Sequence, residues 1–274
     1  MKLKDILAYT QNCLSRANID EAQLEAELLL RHVLRYDATG LFLNHNIVIS
    51  DAEYRSIQAL IDRRLNGEPL AYITGWREFY KLDFIVNSNV LIPRPETELL
   101  VEKTIELAST LSSPIIADIG TGSGAIAIAL AVNLHNAQIY AIDISQETLD
   151  VARANAAKHT VAQRISFIQG DLLEPVPEAV DILIANLPYV KSSDCATSPE
   201  PHLALDGGSE GLDIIKRLCA MLPNKVRQGG SVLLEIGYGQ AISVICMLQS
   251  SLPTAHIETI KDLAGIERVV LGKL

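Results

Sequence analysis

From about residue 113 to the C-terminus, short apolar runs alternate with stretches of helical period, and this pattern limits the fold more than any other feature of the chain. The apolar runs are Ile115–Asp118, Ile139–Asp143, Ile165–Gln169, Asp181–Ala185, Ser231–Ile236, Ile257–Ile260 and Arg268–Leu271. Helical stretches such as Ala125–Leu134 and Gln146–Lys158 lie between them. A strand that is apolar on both sides must be covered on both faces, and an intervening helix returns the chain so that the next strand runs parallel. The pattern predicts an α/β fold with a Rossmann-like, mostly parallel sheet of seven strands.

Upstream, the apolar period is helical. Leu3, Ile6, Leu7 and Leu14 share one face; Leu24, Leu28, Leu29 and Val33 share another after a candidate cap at Asp20. Ser50 and Glu53 have the spacing of a capping box, with Ile49 and Tyr54 placed as a hydrophobic staple. Ile57, Leu60, Ile61 and Leu65 follow on one face, and Gly67 supplies a stop. Phe79–Val86 reads as a strand, Asn87–Asn89 as a turn and Val90–Ile92 as a returning strand, a β-hairpin linker. Pro93-Arg94-Pro95-Glu96-Thr97-Glu98 then opens a helix with acidic residues at its positive end. The predicted organisation is a small helical bundle over residues 1–78, the linker over 79–95 and the α/β domain over 96–274.

The residues suited to chemistry fall at the ends of predicted strands. Asp118-Ile119-Gly120-Thr121-Gly122-Ser123-Gly124 joins the first strand to an Ala-rich helix, at the edge where doubly wound sheets bind ligands. Its spacing is G-x-G-x-G, and Ala125 stands where the dinucleotide fingerprint has its third glycine. Asp143 ends the second strand, where a carboxylate can accept two ribose hydroxyls, and Asp171 follows the third strand at the same edge. A tight turn with helix-capping acids, or a dinucleotide oxidoreductase, would also account for these residues.

Asn186-Leu187-Pro188-Tyr189 follows the fourth strand directly. An amide or aromatic amine nitrogen is a poor nucleophile because its lone pair is delocalised. Two acceptors, the Asn186 side-chain oxygen and the Leu187 carbonyl, can hold its two N–H groups and aim the lone pair at a sulfonium methyl group. Pro188 fixes the turn and Tyr189 offers a ring to stack on a planar substrate. An ordinary Asn-x-Pro turn is the alternative.

Charge and cysteine use narrow the partners. Net charge is −10, divided as −1 over residues 1–95 and −9 over 96–274, a poor match for a phosphate backbone. Cys13, Cys195, Cys219 and Cys246 form no CxxC pair, and the six histidines are scattered, so no metal site is expected. The N-terminus lacks the continuous apolar run of a signal peptide, and no stretch approaches the roughly 18 apolar residues of a membrane span. A cytoplasmic protein is expected, with no membrane contact and no stable nucleic-acid binding.

Together these motifs resemble the release-factor glutamine N5-methyltransferase family, of the HemK/PrmC type. The likeness also covers Gly67-Glu68-Pro69-Leu70-Ala71-Tyr72-Ile73-Thr74-Gly75, Val90 through Glu98, Glu200-Pro201, Ala204 through Gly208, and Asp262 through Gly265 with Arg268. The resemblance implies a class I methyltransferase domain preceded by a helical domain that helps dock the partner. It implies S-adenosylmethionine as cofactor, S-adenosylhomocysteine as product, and class 1 peptide chain release factors as partners, methylated on the glutamine of Gly-Gly-Gln. Carried onto this chain, Asp118, Gly120, Thr121, Gly122, Ser123, Gly124 and Asp143 would hold the cofactor. Asp171 and Leu172 would border its adenine, and Asn186, Leu187, Pro188 and Tyr189 would hold the glutamine amide. The family usually has Asn-Pro-Pro-Tyr, so Leu187 is a departure that frees a backbone dihedral and adds an N–H. The Asn-Leu-Pro-Tyr string also resembles that of ribosomal RNA adenine dimethylases, so a nucleic-acid adenine N6-methyltransferase is the alternative among enzymes, and a non-catalytic cofactor-binding docking protein is the reading outside them.

Overall fold

The structure, a computed structural model covering residues 1–274, contains two compact units, Met1–Trp76 and Arg77–Leu274. The first holds α1 (Leu3–Arg16), α2 (Ala22–Leu34), α3 (Ala38–Leu43), α4 (Asp51–Leu65) and α5 (Leu70–Thr74). The Ser50–Glu53 capping box forms: the Glu53 N–H donates to Ser50 Oγ at 3.2 Å, and the Ser50 N–H donates to Glu53 Oε2 at 2.8 Å. Ile57 and Ile61 are buried on α4 as the period predicts, whereas Leu65 is exposed. On α2 the buried face is Ala22, Ala26, Leu29 and Leu30, with Leu24 exposed and no side-chain cap from Asp20. Small alanines let α2 approach its neighbours closely, so the leucine count misplaces its inner face. Arg64 on α4 grips Glu25 on α2 through two bonds of 2.6 and 3.1 Å, a fork geometry suited to guanidinium and carboxylate.

From Trp76, the last residue of the first unit, the chain enters a hairpin, β1 (Trp76–Phe79) and β2 (Leu82–Ile85), turned by Tyr80 and Lys81. Both turn residues have positive φ, 51° and 61°, as a two-residue hairpin of matching twist requires. The strands predicted at Phe79–Val86 and Val90–Ile92 are therefore displaced: residues 86–92 form a loop. Phe79 and Phe84 anchor the hairpin edge-to-face at 6.0 Å, each fully buried side chain contributing about 2 kcal/mol.

The remaining elements are α6 (Glu98–Ala108), β3 (Ile115–Ile119), α7 (Ala125–Asn133), β4 (Gln138–Asp143), α8 (Gln146–Lys158), β5 (Ile165–Gln169), β6 (Val180–Ala185), α9 (Ser192–Cys195), α10 (His202–Leu205), α11 (Asp213–Met221), β7 (Val226–Glu235), α12 (Ala241–Ser251), β8 (His256–Lys261) and β9 (Glu267–Lys273). The seven strands after the hairpin form one sheet in the order β5-β4-β3-β6-β7-β9-β8, antiparallel only where β9 pairs with β7 and β8. All seven predicted strands are present. Alternate residues serve opposite cores: on β6, Ile182 and Ile184 face one side, Leu183 and Ala185 the other. Residues of α6 and α7 cover the first face, and residues of α11 and α12 cover the second. The chain runs β3, β4, β5 outward, then returns to place β6 on the far side of β3, so the order reverses between β3 and β6. Such a reversal opens a crevice at the carboxyl ends of the strands. No helix is long and apolar enough to cross a membrane.

Candidate active site

The register brings Ile119, Asp143, Gln169 and Ala185 to one edge of the sheet. There the glycine loop folds over the end of β4. The Gly120 and Thr121 N–H groups donate to the Ile142 carbonyl at 2.9 Å each, and the Gly122 N–H donates to Asp143 Oδ2 at 3.0 Å. Gly124, with φ +81°, caps α7; a Cβ there would lie 2.9 Å from Ile128 Cδ1 and 3.2 Å from Ala152 Cβ. Asn155 on α8 holds the loop from beneath, its Nδ2 donating to the Ser123 carbonyl at 2.9 Å and to Ile85 of the hairpin at 3.0 Å.

Asp118 is wholly buried behind this loop. Its Oδ2 accepts from Thr121 Oγ1 at 2.6 Å and from the Ala127 N–H at 3.2 Å, while Oδ1 has no partner. Burial pushes its carboxyl up to about 7, against those two hydrogen bonds and with a further push from Asp143. Asp118, Thr121 and Ser123 shape the loop from inside, and none of them lines the adjoining cavity.

That cavity, of about 380 Å³, is lined by Gly120, Gly122, Asp143, Asp171, Leu172, Asn186, Leu187 and Pro188, among others. Asp143 accepts from the Ser145 N–H at 3.1 Å through its second oxygen, and burial raises its pKa against these bonds. Asp171 is ion-paired with Arg217 of α11 at the rim. Leu172 is buried and turns the chain with φ +50°. The opposite wall comes from Ser88 to Leu91 and from Pro201, Leu203 and Ala204. These two segments are tied together by Glu200, which accepts from the Ile92 N–H at 2.9 Å and pairs with Arg94.

Asn186 reaches the cavity from the end of β6. Its Nδ2 donates to Thr97 Oγ1 at 3.0 Å, leaving Oδ1 without a partner in the chain. Leu187 is buried, its Cδ2 3.0 Å from where a Cβ on Gly120 would be, and neither its N–H nor its carbonyl is used within the chain. Tyr189 does not line the cavity. It packs against the core, its hydroxyl donating to Glu235 Oε1 at 3.2 Å. Glu235 is buried at the end of β7, its Oε2 unpartnered, and burial pushes it up to about 7, with the Thr97 and Tyr189 hydroxyls pulling down. Burial also raises the Tyr189 hydroxyl, Glu235 adding to the shift.

Sequence reasoning missed Thr97, Glu200, Arg217 and Glu235. Thr97 and Glu200 lie inside motifs already singled out, so position in those runs was an available signal. Arg217 and Glu235 carry none in the sequence.

Profiles of two families match the chain: the PrmC N-terminal domain over residues 5–75 and a methyltransferase domain over residues 112–237. A release factor glutamine methyltransferase of Bacillus cereus is 36% identical over 286 residues, covering 100% of both chains. One from Neisseria gonorrhoeae is 39% identical, covering 92% of this chain and 93% of its own. The chain belongs to the release factor glutamine methyltransferase family. In fold, it is similar to the ribosomal protein L11 methylase of Lactobacillus delbrueckii subsp. bulgaricus, with a TM-score of 0.52 at 22% identity over 69% of this chain and 83% of that one. A methyltransferase of Pyrococcus furiosus gives 0.52 at 16% identity over 77% and 96%.

Membership of this family makes the chain a methyltransferase, which implies a methyl-donor cofactor. The residues present fit one. The cavity volume lies in the small-molecule range. At Gly120 a side chain would crowd Leu187, so bare backbone faces the space. Asp143, a carboxylate half removed from water, is stabilised by any hydroxyl donor placed beside it.

Proposed function

We propose that the chain transfers the methyl group of S-adenosylmethionine to N5 of the glutamine side chain in the Gly-Gly-Gln motif of class 1 peptide chain release factors, leaving S-adenosylhomocysteine. One observation carries the reading: the Asn186 amide, tethered through its nitrogen, keeps a free acceptor oxygen in the same cavity as Asp143 and the glycine loop.

Asp143 would accept the ribose hydroxyls, Gly120 to Gly124 would pass the methionine portion, and Asp171 with Leu172 would border the adenine. When bound, the cofactor supplies an electrophilic methyl group on sulfonium. Asn186 Oδ1 and the Leu187 carbonyl accept the two N–H groups of the glutamine amide, turning the plane of the amide so that its lone pair points at that carbon. With the cofactor bound, transfer would form the N–C bond at the expense of the donor's S–C bond, and the nitrogen held by Asn186 and Leu187 would shed one proton to water. Charge appears only transiently, so the residues act by positioning, which can supply several kcal/mol of the barrier. The Tyr189 ring, held by Glu235, supports the turn from behind.

The helical unit is the candidate dock for the release factor, on a domain division of 1–78, 79–95 and 96–274. The acidity of residues 96–274 disfavours an RNA or DNA substrate, and a translation-factor substrate places the enzyme in the cytoplasm. The test is methyl transfer from labelled cofactor to a class 1 release factor, its glutamine-to-alanine variant and ribosomal RNA, in parallel. Label confined to the intact factor, and lowered about 10²-fold or more by Asn186→Ala, is the expected result. Label on RNA alone points to adenine methylation, and cofactor binding without transfer points to a docking protein.

A further inference from the structure

We infer that Asn155 is a positioning residue: its buried amide pins the two walls of the cavity to each other and so sets the width of the space that receives the cofactor. The inference rests on the methyl-transfer reading above only in taking S-adenosylmethionine as the occupant of that cavity.

The two walls have separate origins. One is the glycine loop at the end of β3, of which Gly120 and Gly122 line the cavity; the other is the loop that leaves β2, of which Ser88 to Leu91 line it. Residues 86–92 belong to no strand, so no ladder fixes their place. The buried backbone groups of such a segment must find partners elsewhere, and where those partners stand decides where the segment sits.

α8 supplies them. Thr148, Ala152 and Asn155 are spaced by four and then three residues, so they form one stripe of that helix. Thr148 Oγ1 donates to the Asn89 carbonyl at 2.8 Å, which holds the β2 wall. Ala152 lies against the glycine loop, its Cβ 3.2 Å from where a Cβ on Gly124 would be. Asn155 reaches both walls. Its Oδ1 accepts the Ile85 N–H at 2.7 Å, and its Nδ2 donates to the Ile85 carbonyl at 3.0 Å and to the Ser123 carbonyl at 2.9 Å. The exchange of two bonds with Ile85 imitates the pairing of a neighbouring strand. Both amide hydrogens are thereby spent, one on each wall. The side chain is wholly buried, so water does not replace any of these bonds. One rigid amide plane thus joins the base of one wall to the base of the other. Asn155 does not itself line the cavity, so whatever it does to binding passes through the walls.

The C-terminal end of α8 provides the contrast. Lys158 Nζ donates to the Asp83 carbonyl at 2.8 Å, and His159 Nε2 lies 2.9 Å from the same oxygen. Both contacts are exposed, Asp83 does not line the cavity, and neither side chain bonds the glycine loop. They hold the hairpin without joining the walls.

The experiment compares wild type, Asn155→Ala, Thr148→Val, Thr148→Ser, Lys158→Met and Val244→Ala, the last a buried change on α12 in the core of the opposite face. For each, the Kd of S-adenosylmethionine is measured by calorimetry, the melting temperature by differential scanning, and kcat with a release factor at saturating cofactor. Asn155→Ala cuts the tie between the walls, so Kd should rise about tenfold or more, the equivalent of one or two hydrogen bonds. Its kcat should fall about tenfold as well, because a cofactor in a wider space is held out of line. Thr148→Val keeps the side-chain shape but frees one wall, and should raise Kd about threefold or more; Thr148→Ser retains the hydroxyl and should stay within about twofold of wild type. Val244→Ala should lower the melting temperature, and Lys158→Met should remove only an exposed bond, both with Kd within about twofold of wild type. The inference is overturned if Asn155→Ala binds the cofactor as wild type does, or if Val244→Ala weakens binding as much, since the effect then follows stability and not the walls. Should Asn155→Ala fail to fold, the Thr148 pair decides: equal Kd values for Thr148→Val and Thr148→Ser overturn it. A wild type that binds no S-adenosylmethionine removes instead the reading on which the inference rests.

Discussion

Replacing Asp118 by asparagine should make the second unit more stable at pH 8 than the natural sequence, while leaving it nearly unchanged at pH 5. Burial lifts the Asp118 carboxyl from an ordinary 3.8 to about 7. A difference of about three pK units corresponds to about 4 kcal/mol between its protonation states. The sign follows from linkage. Between pH 4 and 7 the folded chain holds this proton and the unfolded chain has released it, so stability falls as pH rises through that window and levels off above it. Roughly 3 kcal/mol of the loss falls between pH 5 and 8. Asparagine imitates the protonated acid. Its oxygen can take the Thr121 and Ala127 hydrogen bonds, and its NH₂ replaces an oxygen that has no partner now. The variant lacks the titration and should gain about 6–10 °C in melting temperature relative to wild type as pH goes from 5 to 8. Differential scanning calorimetry of cofactor-free protein at pH 5, 6, 7 and 8 measures this directly. If the gap between the two proteins changes by less than about 1 kcal/mol over that range, Asp118 is not held protonated by burial and the argument fails.

Three further outcomes are expected. Gly124→Ala meets both a left-handed backbone and a contact of 2.9 Å with Ile128, and should cost about 2–4 kcal/mol together with at least tenfold in cofactor Kd by calorimetry; Gly122→Ala, with no atom nearer than 4.0 Å, should cost only about 1 kcal/mol. Ser50→Ala opens the capping box of α4 and should cost about 1 kcal/mol in denaturant titration, with cofactor affinity unaltered. Leu187→Pro removes an N–H that bonds nothing in the chain, so labelled-methyl transfer should persist within about threefold, while loss of the buried leucine lowers stability by about 1–2 kcal/mol; abolished transfer would contradict the view that only the Leu187 carbonyl is used.

What the sequence discloses here is what depends on local period. β5 and α8 begin and end at the predicted residues because apolar runs and helical spacing are properties of neighbouring positions. Strand-end residues follow from that, and so the cavity gathers Gly120, Asp143, Asp171 and Asn186 as expected. The hairpin is displaced because its turn uses Tyr80 and Lys81 in left-handed backbone without glycine or asparagine to mark it. Val86, Val90 and Ile92 are buried all the same, which gave a loop the look of a strand. Direction of side chains is equally hidden: Asp118 turns inward to Thr121, and Tyr189 turns from the cavity to Glu235. The Thr97–Asn186 contact joins residues 89 apart, and the Tyr189–Glu235 bond meets across the β6–β7 register. A motif marks which residues matter, whereas register decides which of them meet. For this site the consequence is specific: the Pro-Arg-Pro-Glu-Thr-Glu run and the Asn-Leu-Pro-Tyr run, read separately, are a helix start and a turn. In the fold they are two sides of one hydrogen-bonded contact, Thr97 Oγ1 with the Asn186 amide.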